Sequence, residues 1–392
     1  MSLTKQSTPD DDTGATPTLW HREHLAYLTK SPTNTIALIT ADDVQPILPG
    51  YDLWDVWPVQ HLDGRTALFA SGVLWMILSA PVAHDPNARH GVARIRLMHE
   101  IGGIWRDLGP FMPDGLCPGQ REWAGSAVYD PASQRITLYY TVAGRRGDLE
   151  VRFEQRLFEV SARLSVDGEH ITTSDWAAPR EIIMADGRDY LRVDGSESEP
   201  GFIKGFRDPA FFRDPVDGAD YIVFTGSSAR SGHRFNGVIG IAAANGVDDA
   251  RTWHTLPPLV DASGLNNELE RPHLIRHDGL YYLFWSTQQH MFAPDGHAGP
   301  TGLYGAVAES LFGPYRMLNG SGLVAATPSD EPRQTYSWWV CDDLEVVSFI
   351  DHWGLKGRPH DAPDTIRKQF GGTMAPRFRL SLQGDCAIIT TV

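Results

Sequence analysis

Cysteine is scarce in this chain: three residues in 392, Cys117, Cys341 and Cys386. They allow at most one disulfide and have no metal-site spacing, which excludes a disulfide scaffold or a zinc module. No apolar run is long enough to span a bilayer as a helix. The first residues lack the charged-then-apolar pattern of a cleavable secretion signal. Positive charge is in deficit, with 34 Lys and Arg against 49 Asp and Glu, a net charge of −15. That balance argues against nucleic acid or an anionic membrane surface as a partner. Glycine (38) and proline (27) are plentiful, and 42% of residues are hydrophobic. Such a composition suits many short strands joined by tight turns around a large core, and one all-β unit can take up the whole length.

Residues 1–16, with the run Asp10-Asp11-Asp12, are expected to form a disordered tail, and residues 17–392 a single domain. Leu19 to Leu28 suggests one short helix with Thr18 as its cap. Strand signals dominate afterwards. Phe158, Val160, Ala162, Leu164 and Val166 alternate with Glu159, Ser161, Arg163 and Ser165, the period of a half-buried strand.

The most informative stretch is Tyr51-Asp52-Leu53-Trp54-Asp55-Val56-Trp57-Pro58-Val59-Gln60. It reads as a strand carrying a carboxylate between two tryptophans, with a proline that suits only a strand end or a bulge. The layout recurs at intervals of about 60 to 85 residues: an acidic or aromatic motif, a turn, then a β-prone run. Asp55 precedes Asp63-Gly64 and Ala67-Leu68-Phe69. Glu122-Trp123 precedes Asp130-Pro131 and Ile136–Tyr140. Asp208 precedes Asp217-Gly218 and Tyr221–Phe224, and Glu270 precedes Asp278-Gly279 and Tyr281–Phe284. Tyr336 leads to Asp342-Asp343 and Val346–Ile350. A later pair, an aromatic three positions before a leucine, recurs as Trp105/Leu108, Trp253/Leu256 and Tyr315/Leu318. Five copies, each with room for four strands, predict an all-β, five-bladed β-propeller.

Equivalent positions in a propeller lie at equivalent radii, so phase locates a site. Asp55, Asp208 and Glu270 stand at nearly the same distance before their turns and are expected to converge on the central channel. Carboxylates brought together raise at least one pKa, the arrangement that separates acid and nucleophile in glycoside cleavage. Arg-Asp-Pro occurs twice. The second copy, Arg213-Asp214-Pro215, runs into Val216-Asp217-Gly218 and reads as turn chemistry. Glu268, two residues before Glu270, would point the same way along a strand and serves as a supporting acid.

These residues also resemble a family. Trp54-Asp55-Val56-Trp57-Pro58, Glu122-Trp123-Ala124-Gly125-Ser126, Phe206-Arg207-Asp208-Pro209, Glu270-Arg271-Pro272-His273, Phe312-Gly313-Pro314-Tyr315 and Thr335-Tyr336-Ser337 are similar, in order, to the motifs of glycoside hydrolase family 68. The resemblance runs from about Leu19 to the C-terminus. It implies a five-bladed propeller with a funnel-shaped pocket, and a retaining fructosyltransferase or β-fructofuranosidase acting on sucrose. It further implies Asp55 as nucleophile, Asp208 as transition-state stabiliser and Glu270 as general acid/base. Trp54, Trp123, Arg207, Glu268, Arg271, Gln288 and Tyr336 are implied as substrate-binding residues. No metal or organic cofactor is expected, and the partner is a small carbohydrate, sucrose or a fructo-oligosaccharide. Relatives from Gram-negative bacteria can lack a cleavable signal and still act outside the cell, so both non-classical export and a cytoplasmic place stay open.

The chain departs from the family pattern in places. Ala124 stands where many relatives have serine. Asn267 replaces the aspartate of calcium-binding relatives, so no structural calcium is expected. Gln288-Gln289 replaces an arginine or histidine on the acceptor side, and Ser227–Val238 is short. Both changes point to hydrolysis and short fructo-oligosaccharides rather than a long polymer. Cys341 and Cys386 either pair within the last blade or stay reduced and buried. Two rivals remain at this stage: another furanose-cleaving propeller, of invertase or arabinanase type, and a catalytically silent carbohydrate-binding propeller. Only the enzymes need three phased carboxylates.

Overall fold

The turns at Asp63-Gly64, Asp130-Pro131, Asp217-Gly218, Asp278-Gly279 and Asp342-Asp343 each follow the first strand of a four-stranded antiparallel sheet. Gly64, Gly218 and Gly279 take positive φ there, 85°, 74° and 80°, a conformation glycine enters without steric cost. The architecture is that of a computed structural model that describes residues 16–193, 198, 201–246, 251–362 and 366–390. Of the tail expected at 1–16, residues 1–15 lie outside the described residues.

Blade 1 comprises Tyr51–His61, Gly72–Pro81, Arg94–Ile101 and Ile104–Pro110, and blade 2 Arg121–Asp130, Arg135–Ala143, Gln155–Asp167 and His170–Ser174. Blade 3 comprises Phe206–Arg213, Asp220–Ser227, Gly237–Asn245 and Thr252–Asp261. Blade 4 has Glu270–His277, Leu280–Thr287, Gly302–Ala308 and the short Arg316–Met317. Blade 5 has Thr335–Val340, Glu345–His352, Phe378–Gln383 and Cys386–Thr390. The first strand of each blade packs against that of the next, and blade 5 returns to blade 1, closing the ring. In the first strand of blade 1, Pro58 is the last residue paired with the second strand. Val59–His61 then pair in parallel with Ala127–Tyr129 of blade 2. The missing N–H of Pro58 thus falls where the strand changes partner, as the sequence suggested.

Two expectations change. The helix spans only Arg22–Leu25 and is capped by His21, not Thr18. Thr18–Leu19 pairs with the outer strand of blade 3 while Trp20 is fully buried against Trp285, Phe292 and Tyr304. Tertiary pairing and burial override the local helix pattern. In blade 1 the second strand is Gly72–Pro81, whereas Leu68–Phe69 is only a two-residue strand beside it, folded back through Ala70 and Ser71 at positive φ (46° and 65°). The alternation read in blade 2 holds over Phe158–Leu164; Val166, past the inner part of the sheet, is exposed.

All five first strands carry a β-bulge at the same height. The register shifts fall between Trp54 and Val56, Trp123 and Gly125, Arg207 and Ala210, Glu270 and His273, and Tyr336 and Trp339. Asp55, Asp208, Arg271 and Ser337 occupy the bulges with φ of 35°, 59°, 50° and 63°. A bulge sets two successive residues against one partner, so both can face the same side instead of alternating. Register therefore equates Asp55 with Asp208, Arg271 and Ser337, and Glu270 with the residue before each bulge.

Blade 2 fills its bulge with Ala124-Gly125. A Cβ on Gly125 would lie 1.9 Å from the Tyr139 carbonyl oxygen and 2.8 Å from Tyr140 Cα, both backbone atoms that cannot swing aside. Gly125→Ala should therefore destabilise the fold by at least the ~1–3 kcal/mol typical of overpacking. Thermal unfolding tests this, and an unchanged midpoint would mean that the bulge has room to relax.

Candidate active site

The bulges meet at the mouth of the central channel, in a cavity of about 570 Å³. Each blade contributes a consecutive pair to its wall: Trp54 and Asp55, Trp123 and Ala124, Arg207 and Asp208, Glu270 and Arg271, Tyr336 and Ser337. Glu268 and Gln288 complete the set, so all ten residues singled out from the sequence line one cavity. Glu122 does not. It is buried on the other face, accepting from Arg94 Nε (2.8 Å) and Ile95 N (2.7 Å). Asp214 belongs to its turn, accepting from Val216 N (2.9 Å) and from Tyr281 Oη (2.7 Å).

Arg271 joins the bulges. Its Nη1 donates to Ser337 O (3.1 Å) and Ser337 Oγ (2.6 Å), its Nη2 to Val56 O (2.8 Å), and its backbone N to Asp208 Oδ2 (3.1 Å). Its guanidinium lies 5.5 Å from the ring centroids of both Trp57 and Trp339. Trp57, fully buried, thus supports Arg271 from beneath, while Trp54 reaches the cavity. Asp208 N donates to Thr141 Oγ1 (2.8 Å), which donates to Ala124 O (3.1 Å), bringing blade 2 into the same network. His273 Nδ1 bonds Arg271 O (3.0 Å) and its Nε2 accepts from Val340 N (2.9 Å). Burial pushes this imidazole down to about 3, so it stays a neutral brace between blades 4 and 5.

A second guanidinium, Arg207, gathers the acids. Its Nη2 lies 2.8 Å from Glu270 Oε1 and 3.1 Å from Glu268 Oε2, and its Nε lies 3.6 Å from Asp208 Oδ2. Glu270 Oε2 also accepts from the Tyr336 hydroxyl. Glu268 is fixed by Ile203 N (3.2 Å) and Asn267 Nδ2 (3.3 Å). Asn267, expected to mark the lack of a calcium site, accepts at 2.8 Å from the ammonium of Lys204, which also donates to Asn236 Oδ1 (2.5 Å).

Burial sets the electrostatics. It pushes Asp55 up, against Arg271 and a hydrogen bond from Ser337, with the charge of Glu270 adding to the rise. It pushes Asp208 up to about 6 despite Arg207, helped by Glu270 and Asp55. Glu268 rises to about 7 for the same reason, opposed by Arg207 and reinforced by Glu270. Burial alone would lower Arg207, but Glu268, Glu270 and Asp208 hold it above its usual range. The site thus combines reluctant carboxylates with a permanently charged arginine.

The structure adds residues that sequence phase did not reveal. Ser337 was visible in principle, as the second member of the Tyr336-Ser337 pair. Arg89, His290, Arg333, Asp351, His352 and His360 also line the cavity. They come from turns and strand ends between the repeated motifs, where no phase exists to find them. The Ser227–Val238 segment contributes none of the lining residues. Cys117, Cys341 and Cys386 are all free, with Cys341 buried and Cys386 exposed, which is neither the paired nor the doubly buried arrangement considered for the last two.

The rise at Asp208 has a consequence for stability. A carboxyl whose folded pKa, about 6, exceeds its ordinary 3.8 is held more easily as the acid. Its contribution is complete below about pH 4 and is lost as pH rises through about 6. Asp208→Asn should remove that share of the decline and melt a few degrees higher than the wild type at pH 7. Thermal midpoints of both proteins from pH 4 to 7 test this, and parallel curves would contradict it.

Comparison with known proteins agrees with the geometry. Residues 10–236 and 230–392 match the family described as Levansucrase/Invertase, glycoside hydrolase family 68. The levansucrase LscC of Pseudomonas savastanoi pv. glycinea is 33% identical over 415 residues, covering 95% of this chain and 90% of that protein. A Zymomonas mobilis levansucrase is 32% identical, covering 96% and 91%. Among solved structures, an inulosucrase from Halalkalicoccus jeotgali bound to kestose superposes with a TM-score of 0.88 at 36% identity, covering 96% of each chain. A levansucrase from Gluconacetobacter diazotrophicus, at 23% identity and a TM-score of 0.82, shares the fold. With five bulged inner strands around one carboxylate-lined cavity, and a family match along nearly its whole length, this chain belongs to glycoside hydrolase family 68.

Proposed function

We propose that the protein is a retaining fructosyltransferase that uses sucrose as donor and passes the fructosyl unit to water or a sugar through a covalent enzyme intermediate. The observation that carries this reading is the convergence of Asp55, Asp208 and Glu270 around Arg207 and Arg271 in one cavity. Its volume of about 570 Å³ suits a small oligosaccharide. The levansucrases and the kestose-bound inulosucrase it resembles support a fructosyl sugar as the occupant. A silent sugar-binding propeller would gain nothing from several buried acids, each of which costs free energy to ionise.

In this reading the Asp55 carboxylate attacks the fructosyl anomeric carbon as the bond to the glucosyl oxygen breaks. That bond's electron pair goes to the glucosyl oxygen, which takes the proton of Glu270. Water or an acceptor hydroxyl then attacks the same carbon from the opposite side, returning its proton to Glu270 and freeing Asp55. Asp208 stays ionised beside Arg207 and steadies the positive character of the fructosyl ring in each transition state. Glu268 shares the Arg207 Nη2 with Glu270, and burial holds its carboxyl up at about 7. Trp54 and Trp123 offer apolar faces to the sugar rings. No step calls for a metal or an organic cofactor.

Glucose release from sucrose is the first test. Asp55→Asn should remove that release by roughly four or more orders of magnitude in kcat with the fold intact, since the bond-forming oxygen is lost. A folded variant that kept a few per cent of activity would take Asp55 out of the role. Glu270→Gln should lose most activity on sucrose but much less on a fructoside whose leaving group needs no proton. Equal losses on the two substrates would reduce Glu270 to a positioning group.

A further inference from the structure

Lys204 is a buried ammonium with no part in the reaction steps. It is 7% exposed, and among the described residues no carboxylate comes within ion-pair distance of its Nζ. Nζ donates instead to three uncharged oxygens: the Arg234 carbonyl, Asn236 Oδ1 (2.5 Å) and Asn267 Oδ1 (2.8 Å). The Phe202 ring covers it, with the centroid 5.0 Å from Nζ. Burial lowers this amine to about 8, opposed by the charge of Glu268 and helped by that of Arg234, so it stays mostly protonated at neutral pH. Burying a charge opposes folding, and an apolar side chain of similar length would hold the same segments together without that cost. The ammonium therefore has a use other than stability.

What it holds lies next to the acids. Arg234 and Asn236 precede the third strand of blade 3, and Asn267 precedes the first strand of blade 4. Lys204 itself precedes the first strand of blade 3, and its carbonyl accepts from Gln155 Nε2 (2.8 Å) in blade 2. With Oδ1 of Asn267 committed to the ammonium, the amide has one orientation. Its Nδ2 then faces Ile203 O (3.1 Å) and Glu268 Oε1 (3.3 Å). Ile203 N donates to the same Glu268 oxygen (3.2 Å). Both donors that fix Oε1 are thus set by Lys204, one through its side chain and one through the peptide before it. The other oxygen, Oε2, lies 3.1 Å from Arg207 Nη2, which also reaches Glu270 Oε1 at 2.8 Å. Lys204 does not line the cavity, yet a continuous path through Asn267, Glu268 and Arg207 leads from it to Glu270.

We propose that Lys204 is a positioning residue for fructosyl transfer: its ammonium orients the Asn267 amide, which holds Glu268 where its carboxylate shares the Arg207 guanidinium with Glu270. The proposal rests on the fructosyl-transfer reading. Without the ammonium the Asn267 amide is free to turn, and Glu268 loses a donor. The guanidinium is then no longer held between two glutamates. Its displacement misaligns Glu270 and Asp208 as charge develops on the fructosyl ring, and a shift of about 1 Å can cost 10²-fold in rate. Trp54 and Trp123 still face the sugar, so the loss falls on the chemical step rather than on binding.

Initial rates of glucose release by the full-length enzyme, per folded molecule and over a range of sucrose concentrations, test this. Lys204→Met keeps the length of the side chain and removes its donors. Its kcat and kcat/KM should fall together by about tenfold or more, with KM within about twofold of the wild type. Asn267→Asp keeps an acceptor for the ammonium and loses only the Nδ2 donor. It should show the same pattern with a thermal midpoint within a few degrees of the wild type, and it decides alone should Lys204→Met fail to fold. In a Glu268→Ala background, Lys204→Met should add less than about twofold, because the path it acts through is already broken. A folded Asn267→Asp with wild-type kcat, a loss confined to KM, or losses from Lys204→Met and Glu268→Ala that multiply would each overturn the proposal. A wild type that releases no glucose would overturn the transfer reading itself, and this role with it.

Discussion

The guanidinium of Arg271 is the contact on which the rest of this active site depends. Four inner strands hold a non-glycine residue at positive φ, a conformation that costs on the order of 1–3 kcal/mol wherever surrounding structure must impose it. Arg271 is itself one of the four, and its donors reach Ser337 and Val56 while its backbone N–H reaches Asp208. One residue in blade 4 thus ties the bulges of blades 1, 3 and 5 to its own. The Asp208–Thr141–Ala124 relay adds the last blade. Its charge also answers Asp55 and Asp208, so the link that fixes the backbone lowers the cost of burying the acids it positions.

The bulge explains how one propeller places so many polar groups in a small space. A regular strand alternates sides and could present only every second residue to the channel. Doubling one position per blade yields five adjacent pairs. In blades 3 and 4 the pair joins an arginine to a carboxylate, in the orders Arg207-Asp208 and Glu270-Arg271. Reversing the order sets the two guanidiniums at different places in the cavity. Arg207 meets Glu268 and Glu270, while Arg271 turns under Asp55 towards Ser337.

Much of this was legible in the sequence, and the part that was not has physical causes. The turn motifs recur because every blade needs the same hairpin, so blade number and the three acids followed from phase. Counting back from the turn glycines nevertheless equated Glu270 with Asp55, when register equates Asp55 with Arg271. The count runs through a bulge and a hairpin whose lengths trade off, and one residue of slip is invisible until the strands are paired. Ala67-Leu68-Phe69 has the composition of a main strand; only packing shows that Gly72–Pro81, with Met76 and Ile77 fully buried, occupies the place. Thr18 has the side chain of a helix cap, but its backbone pairs with blade 3 more than two hundred positions away.

The outer residues escaped for a different reason. Arg333, His290 and His360 belong to connections, which a propeller does not need to repeat, so each blade varies them without disturbing the ring. The inner wall has no such freedom. Exchanging any of Asp55, Asp208 or Arg271 alters both a charge and a strained backbone that several blades share. The inner wall is therefore bound to the fold, while the outer lining sits on connections that can change one side chain at a time.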